Sequence, residues 1–141
     1  LRVSIIGPEV DRSSSLLEWV RNQPRNAEVS GYIDHFWNGI TSIHFARIAR
    51  GIIEHDLFEA GVFHVLPQDS VTKSKLVSLI AKYLGRSDIK VKPTATGANI
   101  NRTLDTSFPA KNKGFWQAAG YDAPPTIEQM VSEVIALDSK G

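Results

Sequence analysis

Leu1-Arg2-Val3-Ser4-Ile5-Ile6-Gly7-Pro8 opens the chain. Its first six residues read as a short buried strand, and Gly7-Pro8 is a turn pair that cannot continue a hydrogen-bonded ladder. The strand pattern begins at residue 1 with no initiator Met, so we expect a piece of a longer protein. A second compact strand, Val62-Phe63-His64-Val65-Leu66, follows Gly61 and is rich in β-branched and aromatic residues. Helical patterns lie between and after the two. The fold class is therefore α/β, a mixed α+β arrangement of short strands with about five helices.

Outward from that frame, Ser13-Ser14-Ser15 offer caps ahead of Leu16, Leu17, Trp19 and Val20, and Pro24 closes the helix. Glu28 to Ile33 suits a short strand. His35-Phe36-Trp37-Asn38-Gly39-Ile40 is aromatic, polar and Gly-bearing, and reads as a strand end or loop. Thr41 caps the next helix, with Phe45, Ile48, Ala49, Ile52 and Ile53 sharing one face. Thr72 caps another, burying Leu76, Leu79, Ile80, Tyr83 and Leu84, and Gly85 suits the left-handed position past its end. Ile89 to Lys92 alternates like an edge strand, and Pro93 to Leu104 is turn-rich. A short helix covers Lys111 to Ala119, with Phe115 and Trp116 docking on the core. Pro124-Pro125-Thr126 then opens the last helix. There Gln129 completes a capping box, and Ile127, Met130, Val131 and Val134 form the inner stripe. Residues 1–141 read as one domain.

Of the 141 residues, 42% are hydrophobic and 22% charged, which describes an ordinary globular chain rather than a disordered one. A net charge of +1 gives no reason to expect nucleic acid or an anionic membrane as partner. No apolar run approaches the ~20 residues that span a bilayer. With no cysteine, disulfides, thiolate metal sites and cysteine nucleophiles are excluded, and a cytoplasmic setting is allowed. The four histidines stand nine, eleven and nine residues apart without acidic partners at ligand spacing, so we assign no metal.

The order of motifs resembles the C-terminal, substrate-binding part of the extended short-chain dehydrogenase/reductase family along essentially the whole chain. Arg2-Val3-Ser4-Ile5-Ile6-Gly7-Pro8-Glu9 occupies the place of that family's Arg-x-x-Asn-x-Tyr-Gly-Pro strand. Ile43 to Ile48 resembles the family's Val-Asp-Asp helix without the acidic pair. Gly61-Val62-Phe63-His64-Val65 is similar to its Gly-Val-Tyr-Asn-Val segment, and Ser70-Val71-Thr72-Lys73 to the capped helix that follows. Asn101-Arg102-Thr103-Leu104-Asp105-Thr106 resembles its arginine loop. Ala119-Gly120-Tyr121 and Pro125-Thr126-Ile127 resemble its last turn and helix. Within the family, the Ser-Ile-Ile-Gly start and His35 to Thr41 are nearest to nucleotide-sugar reductases of the dTDP-4-dehydrorhamnose reductase type.

The resemblance implies an NAD(P)-dependent nucleotide-sugar reductase in polysaccharide biosynthesis, with this chain as its substrate-binding portion. The alternatives are part of an epimerase or dehydratase, or a non-catalytic regulator of the same fold. The Gly-x-x-Gly-x-x-Gly cradle and the Tyr-x-x-x-Lys pair are both missing, so NAD or NADP and the catalytic residues are expected in another segment. By resemblance, Arg102 and Asn101 would hold the diphosphate, since a guanidinium is a planar donor with permanent charge. A surface salt bridge is the alternative role for Arg102. Trp37 and Asn38 would line the nucleotide or sugar pocket by stacking and by hydrogen-bonding hydroxyls, with core packing the alternative for Trp37. Ile6, Gly7 and Pro8 would touch the cofactor ring, though Gly-Pro is equally a plain turn. Lys73 and Lys75 read as solvated. If a further half is missing, apolar faces should lie exposed and open to self-association.

Overall fold

The computed structural model describes residues 1–9 and 14–140, so Ser13 of the expected cap run lies outside the described residues. In chain order the elements are β1 (Ile5–Ile6), α1 (Leu16–Arg21), β2 (Glu28–Tyr32), β3 (His35–Trp37), β4 (Ile40–Thr41), α2 (Ser42–Glu54), β5 (Val71–Thr72), α3 (Lys73–Tyr83), β6 (Lys90–Thr94), β7 (Ile100–Asn101), α4 (Pro109–Ala118) and α5 (Ile127–Asp138). This is the mixed α and β arrangement expected, with its strands gathered into three small sheets.

The first sheet pairs β1 with β4 in parallel, Ile5 opposite Ile40 and Ile6 opposite Thr41. Just before it, the Arg2 N–H donates to the Phe63 carbonyl at 2.8 Å and the Arg2 carbonyl accepts from Val65 at 3.2 Å. Arg2 to His64 is thus a single parallel bridge, and Val62–Leu66 does not form the expected full strand. The opening segment is shared between two partners, so each receives only a few residues of edge. Phe63, Val65 and Leu66 are nevertheless buried. The reason lies in α4, where Asn112 accepts from the Leu66 N–H at 2.9 Å and donates to its carbonyl at 3.1 Å. The Trp116 indole donates to that same carbonyl at 2.7 Å.

In the second sheet β2 runs parallel to β6 from Glu28–Lys90 to Tyr32–Thr94. The third has β3 at its centre, antiparallel to β5 and parallel to β7. His35–Trp37, expected as a strand end or loop, is therefore a central strand. Its neighbours supply the ladder bonds that its short, aromatic sequence does not advertise.

Three helices start as their sequences specify. Ser15, Thr72 and Thr126 each accept from the backbone N–H three residues on, at 3.3, 3.2 and 3.2 Å. Gln129 does not close its capping box, because its amide reaches Glu133 instead. Gly85 takes the expected positive φ of 70° after α3. α3 lies at the middle of the molecule, packed on α1, β2, β6 and α5. Leu76, Val77, Leu79 and Ile80 of α3 join Leu17, Val20, Val29, Met130 and Val134 in one core.

The inner face of α2 departs from the expected stripe. Ile48 is fully buried, but Ile53 is 79% exposed, and the line that meets the interior is His44, Ile48 and Gly51. α2 approaches α4 so closely that a Cβ on Gly51 would lie 2.4 Å from the Ala118 carbonyl oxygen. Ile53 lies outside that line and shares a shallow apolar cavity with exposed Leu57 and Phe58. No helix among the described residues is long and apolar enough to cross a membrane.

Candidate functional site

The end of β1 and the strand β3 face one another across a cleft of about 320 Å³. Ser4, Ile5, Ile6, Leu16, His35, Phe36, Trp37, Lys73, Leu76, Ile100 and Arg102 line it. Trp37 forms one wall, half-buried, its indole N–H held by the Ser4 hydroxyl at 2.7 Å. Gly39 makes this possible: a Cβ there would lie 2.2 Å from the Ser4 carbonyl oxygen and 2.3 Å from the Trp37 ring.

Arg102 reaches the cleft because the ladder between β3 and β7 continues one residue further, the Arg102 N–H donating to the Phe36 carbonyl at 3.0 Å. Its side chain is exposed, and no described carboxylate lies within ion-pair distance of it. The loop after it is fixed by Asn38, which is buried. The Asn38 amide donates to the Leu104 carbonyl and accepts from the Leu104 N–H, each at 2.7 Å. Asn101 lies on the rim, its side-chain oxygen accepting from the Thr103 N–H at 3.0 Å and the Thr103 hydroxyl at 2.6 Å. Of the four residues expected to meet substrate, the fold thus brings Trp37 and Arg102 into the cleft. Asn38 lies beneath the arginine loop, and Asn101 shapes its turn.

Of the three residues expected near a cofactor ring, Ile6 lines the cleft while Gly7 and Pro8 do not. Gly7 is buried against the start of α2, where a Cβ would lie 2.2 Å from Ser42 Oγ. Its lack of a side chain serves that packing.

Sequence reasoning read Lys73 as solvated and gave His35 and Tyr32 no part in the site. Lys73 is the first residue of α3, and its ammonium lies 5.4 Å from the centre of the Tyr32 ring. Tyr32 also stacks on His35, ring centres 4.7 Å apart. Strand alternation in β3 would have placed His35 and Trp37 on one face, and the Thr72 cap would have placed Lys73 at a helix N-terminus. Asp34 accepts from the Thr96 N–H, the Thr96 hydroxyl and the Gly97 N–H at 2.7 to 2.9 Å, fixing the neighbouring loop. Burial works against its charged form, but these bonds prevail and hold the Asp34 carboxyl below its ordinary pKa. A larger groove of about 660 Å³, with Trp19, Tyr32 and Ser30 in its walls, shares Leu16 and Lys73 with the cleft.

The cleft therefore offers two cations, an indole face and aliphatic walls, with no acidic residue among the described residues of its lining. That combination suits a phosphorylated ligand with a ring attached. The other concentration of ionisable groups lies between α2 and α5. There Glu133 accepts from Arg47 at 2.5 Å and from the Tyr121 hydroxyl at 2.7 Å, and stands 3.3 Å from Nε2 of His44. These bonds tie α2 to α5 and to Tyr121.

No protein-family model matches the chain, and no curated protein is significantly similar to it in sequence. Solved structures share its fold. A dTDP-4-dehydrorhamnose reductase from Bacillus anthracis, in complex with NADP, superposes with a TM-score of 0.68 at 14% identity, over 94% of this chain and 45% of its own. Its counterpart from Clostridium acetobutylicum gives 0.64 at 15% identity, over 96% and 46%. UDP-glucose 4-epimerase from Thermotoga maritima, solved with UDP-glucose, gives 0.60 at 15% identity, over 98% and 44%. The chain thus spans less than half the length of these nucleotide-sugar enzymes. Its mixed α/β fold is the one found in part of each of these enzymes.

Proposed function

We propose that this chain is the substrate-binding portion of an NAD(P)-dependent nucleotide-sugar reductase of the dTDP-4-dehydrorhamnose reductase type. The whole protein would act in deoxysugar and polysaccharide biosynthesis in the cytoplasm. The observation that carries the reading is the cleft between β1 and β3, where Lys73 and the Arg102 guanidinium, which has no carboxylate partner among the described residues, line the same cavity as Trp37 and the apolar Ile5, Ile6, Leu76 and Ile100. Arg102 and Lys73 neutralise a diphosphate, and Arg102 can hold two of its oxygens at once. The α3 N-terminus adds its partial positive charge on the same side. Trp37 covers the apolar face of a sugar ring or base, and the groove past Lys73, with Tyr32, gives the remaining part of the ligand an aromatic wall.

NAD or NADP would supply hydride exchange when bound. This chain's part is confined to holding the sugar beside Ile6, which lines the cleft at the end of β1, and to excluding water with Ile5, Ile100 and Leu76. The proton-transfer residue belongs to the rest of the protein, which would extend beyond this chain. Asn38 enters as a positioning residue, because it fixes Leu104 and with it the course of the loop from Arg102.

The test is an NMR titration with dTDP. The reading requires the indole N–H of Trp37 and the amides of Lys73 and Arg102 to shift together and saturate. Shifts confined to other surfaces, or none up to millimolar dTDP, would remove it.

A further inference from the structure

His35 lines the cleft together with Trp37, and its side chain is 21% exposed. Its two ring nitrogens have different surroundings. Nε2 lies 3.2 Å from the Thr96 hydroxyl, whereas Nδ1 has no hydrogen-bond partner among the described residues. The Thr96 hydroxyl has a single proton and donates it to the Asp34 carboxylate at 2.9 Å, a charged acceptor stronger than a neutral ring nitrogen. Toward the ring, Thr96 can then only accept. The neutral imidazole therefore carries its proton on Nε2 and presents a bare lone pair at Nδ1, which repels a phosphate oxygen. Protonation turns that same atom into a donor.

The surroundings are balanced for such a change. Asp34 Oδ1 is buried without a hydrogen-bond partner among the described residues and lies 3.9 Å from Nε2, and the Tyr32 ring stands 4.7 Å from the imidazole, centre to centre. Both favour a positive ring. Lys73 and Arg102 line the same cleft, and their like charge opposes it. A diphosphate set among the three removes that opposition. We propose that His35 is a further ligand-binding residue, which on taking a proton donates from Nδ1 to the diphosphate, so that ligand and proton bind together. The inference rests on the reading of the cleft given above and adds a pH dependence to its affinity. The bound anion raises the proton affinity of His35, and the proton raises the affinity for the anion by the same factor. Binding is therefore tightest below the titration of the imidazole and weakens as pH rises through it.

Calorimetric titration with dTDP-rhamnose between about pH 6 and about pH 8 tests it, because a diphosphate esterified at both ends gains no proton in that range. The proposal expects affinity to fall roughly three- to tenfold across the range, and buffers of different ionisation enthalpy to report proton uptake on binding. In His35→Gln, whose amide can still donate to Thr96, binding should persist at the weaker, high-pH level and lose both effects. If that variant unfolds, ring-nitrogen NMR of the unaltered chain decides, since Nδ1 of His35 must gain its proton as the ligand saturates. Affinity independent of pH, with the Trp37 indole still shifted by ligand, would overturn this inference and leave the reading of the cleft standing. A pH dependence retained in His35→Gln would overturn it and assign the proton to another group. Absence of binding at every pH would overturn both.

Discussion

His44 is fully buried in the first turn of α2, its Nδ1 taking a hydrogen bond from the Thr41 hydroxyl at 2.6 Å. Its Nε2 faces Glu133 without a well-formed bond. Burial disfavours the imidazolium, and the nearby Arg47 adds to this. Glu133 recovers part of the loss, and the pKa falls from an ordinary 6.5 to about 4. The unfolded chain therefore binds a proton that the folded chain refuses between those values, so stability drops as pH falls from about 6.5 toward 4 and levels off below. At pH 4.5 the loss is about 2–3 kcal/mol relative to pH 7.5, by linkage. The carboxyls of Glu133, Glu128, Asp34 and Asp88 also lie below their ordinary pKa and lose stability on acidification. Comparison with a non-titrating variant separates them from the histidine. Urea unfolding of the chain and of His44→Gln at both pH values is the assay. The variant should start less stable at pH 7.5 and lose about 2 kcal/mol less on acidification. Equal losses in the two proteins would refute a buried, neutral His44.

Three further outcomes follow from the packing. Trp116→Ala should cost about 3–5 kcal/mol in chemical unfolding, and Asn112→Ala about 1–3, since both hold Leu66 in place. Gly7→Ala should cost about 1–3 kcal/mol by clash with Ser42, and Gly7→Ala with Ser42→Gly should recover much of it, as a double-mutant cycle would show. Asn38→Ala should leave the chain folded but speed hydrogen exchange at Leu104, and should weaken dTDP binding by roughly tenfold as the arginine loop loses order.

Helix caps and core stripes were the most legible features, because both are local. Ser15, Thr72 and Thr126 cap where their side chains reach the right N–H, and Ile127, Met130, Val131 and Val134 face inward at helical spacing. Strands were legible only where a partner was generous. Val62–Leu66 has strand composition but obtains one bridge, whereas His35–Trp37 lacks a clear pattern and becomes a central strand through β5 and β7. On α2, Phe45, Ile48 and Ile52 meet the core as expected, but Ile53 does not, and Gly51, which has no hydropathy signal, lies at the close approach to α4. At the site, Arg102 and Trp37 were singled out through resemblance, and both line the cleft. Lys73 was read as solvated, as a lysine near a cap is until Tyr32, 41 residues earlier in the sequence, is brought under its ammonium.

Calorimetric titration of dTDP-rhamnose into the chain and into Arg102→Ala bears most directly on the central claim. The account predicts saturable one-to-one binding, weakened about 10- to 100-fold by the substitution and falling with added salt, as the loss of a solvent-accessible charge-assisted contact would give. Absence of binding, or an affinity that Arg102→Ala leaves unchanged, would contradict it.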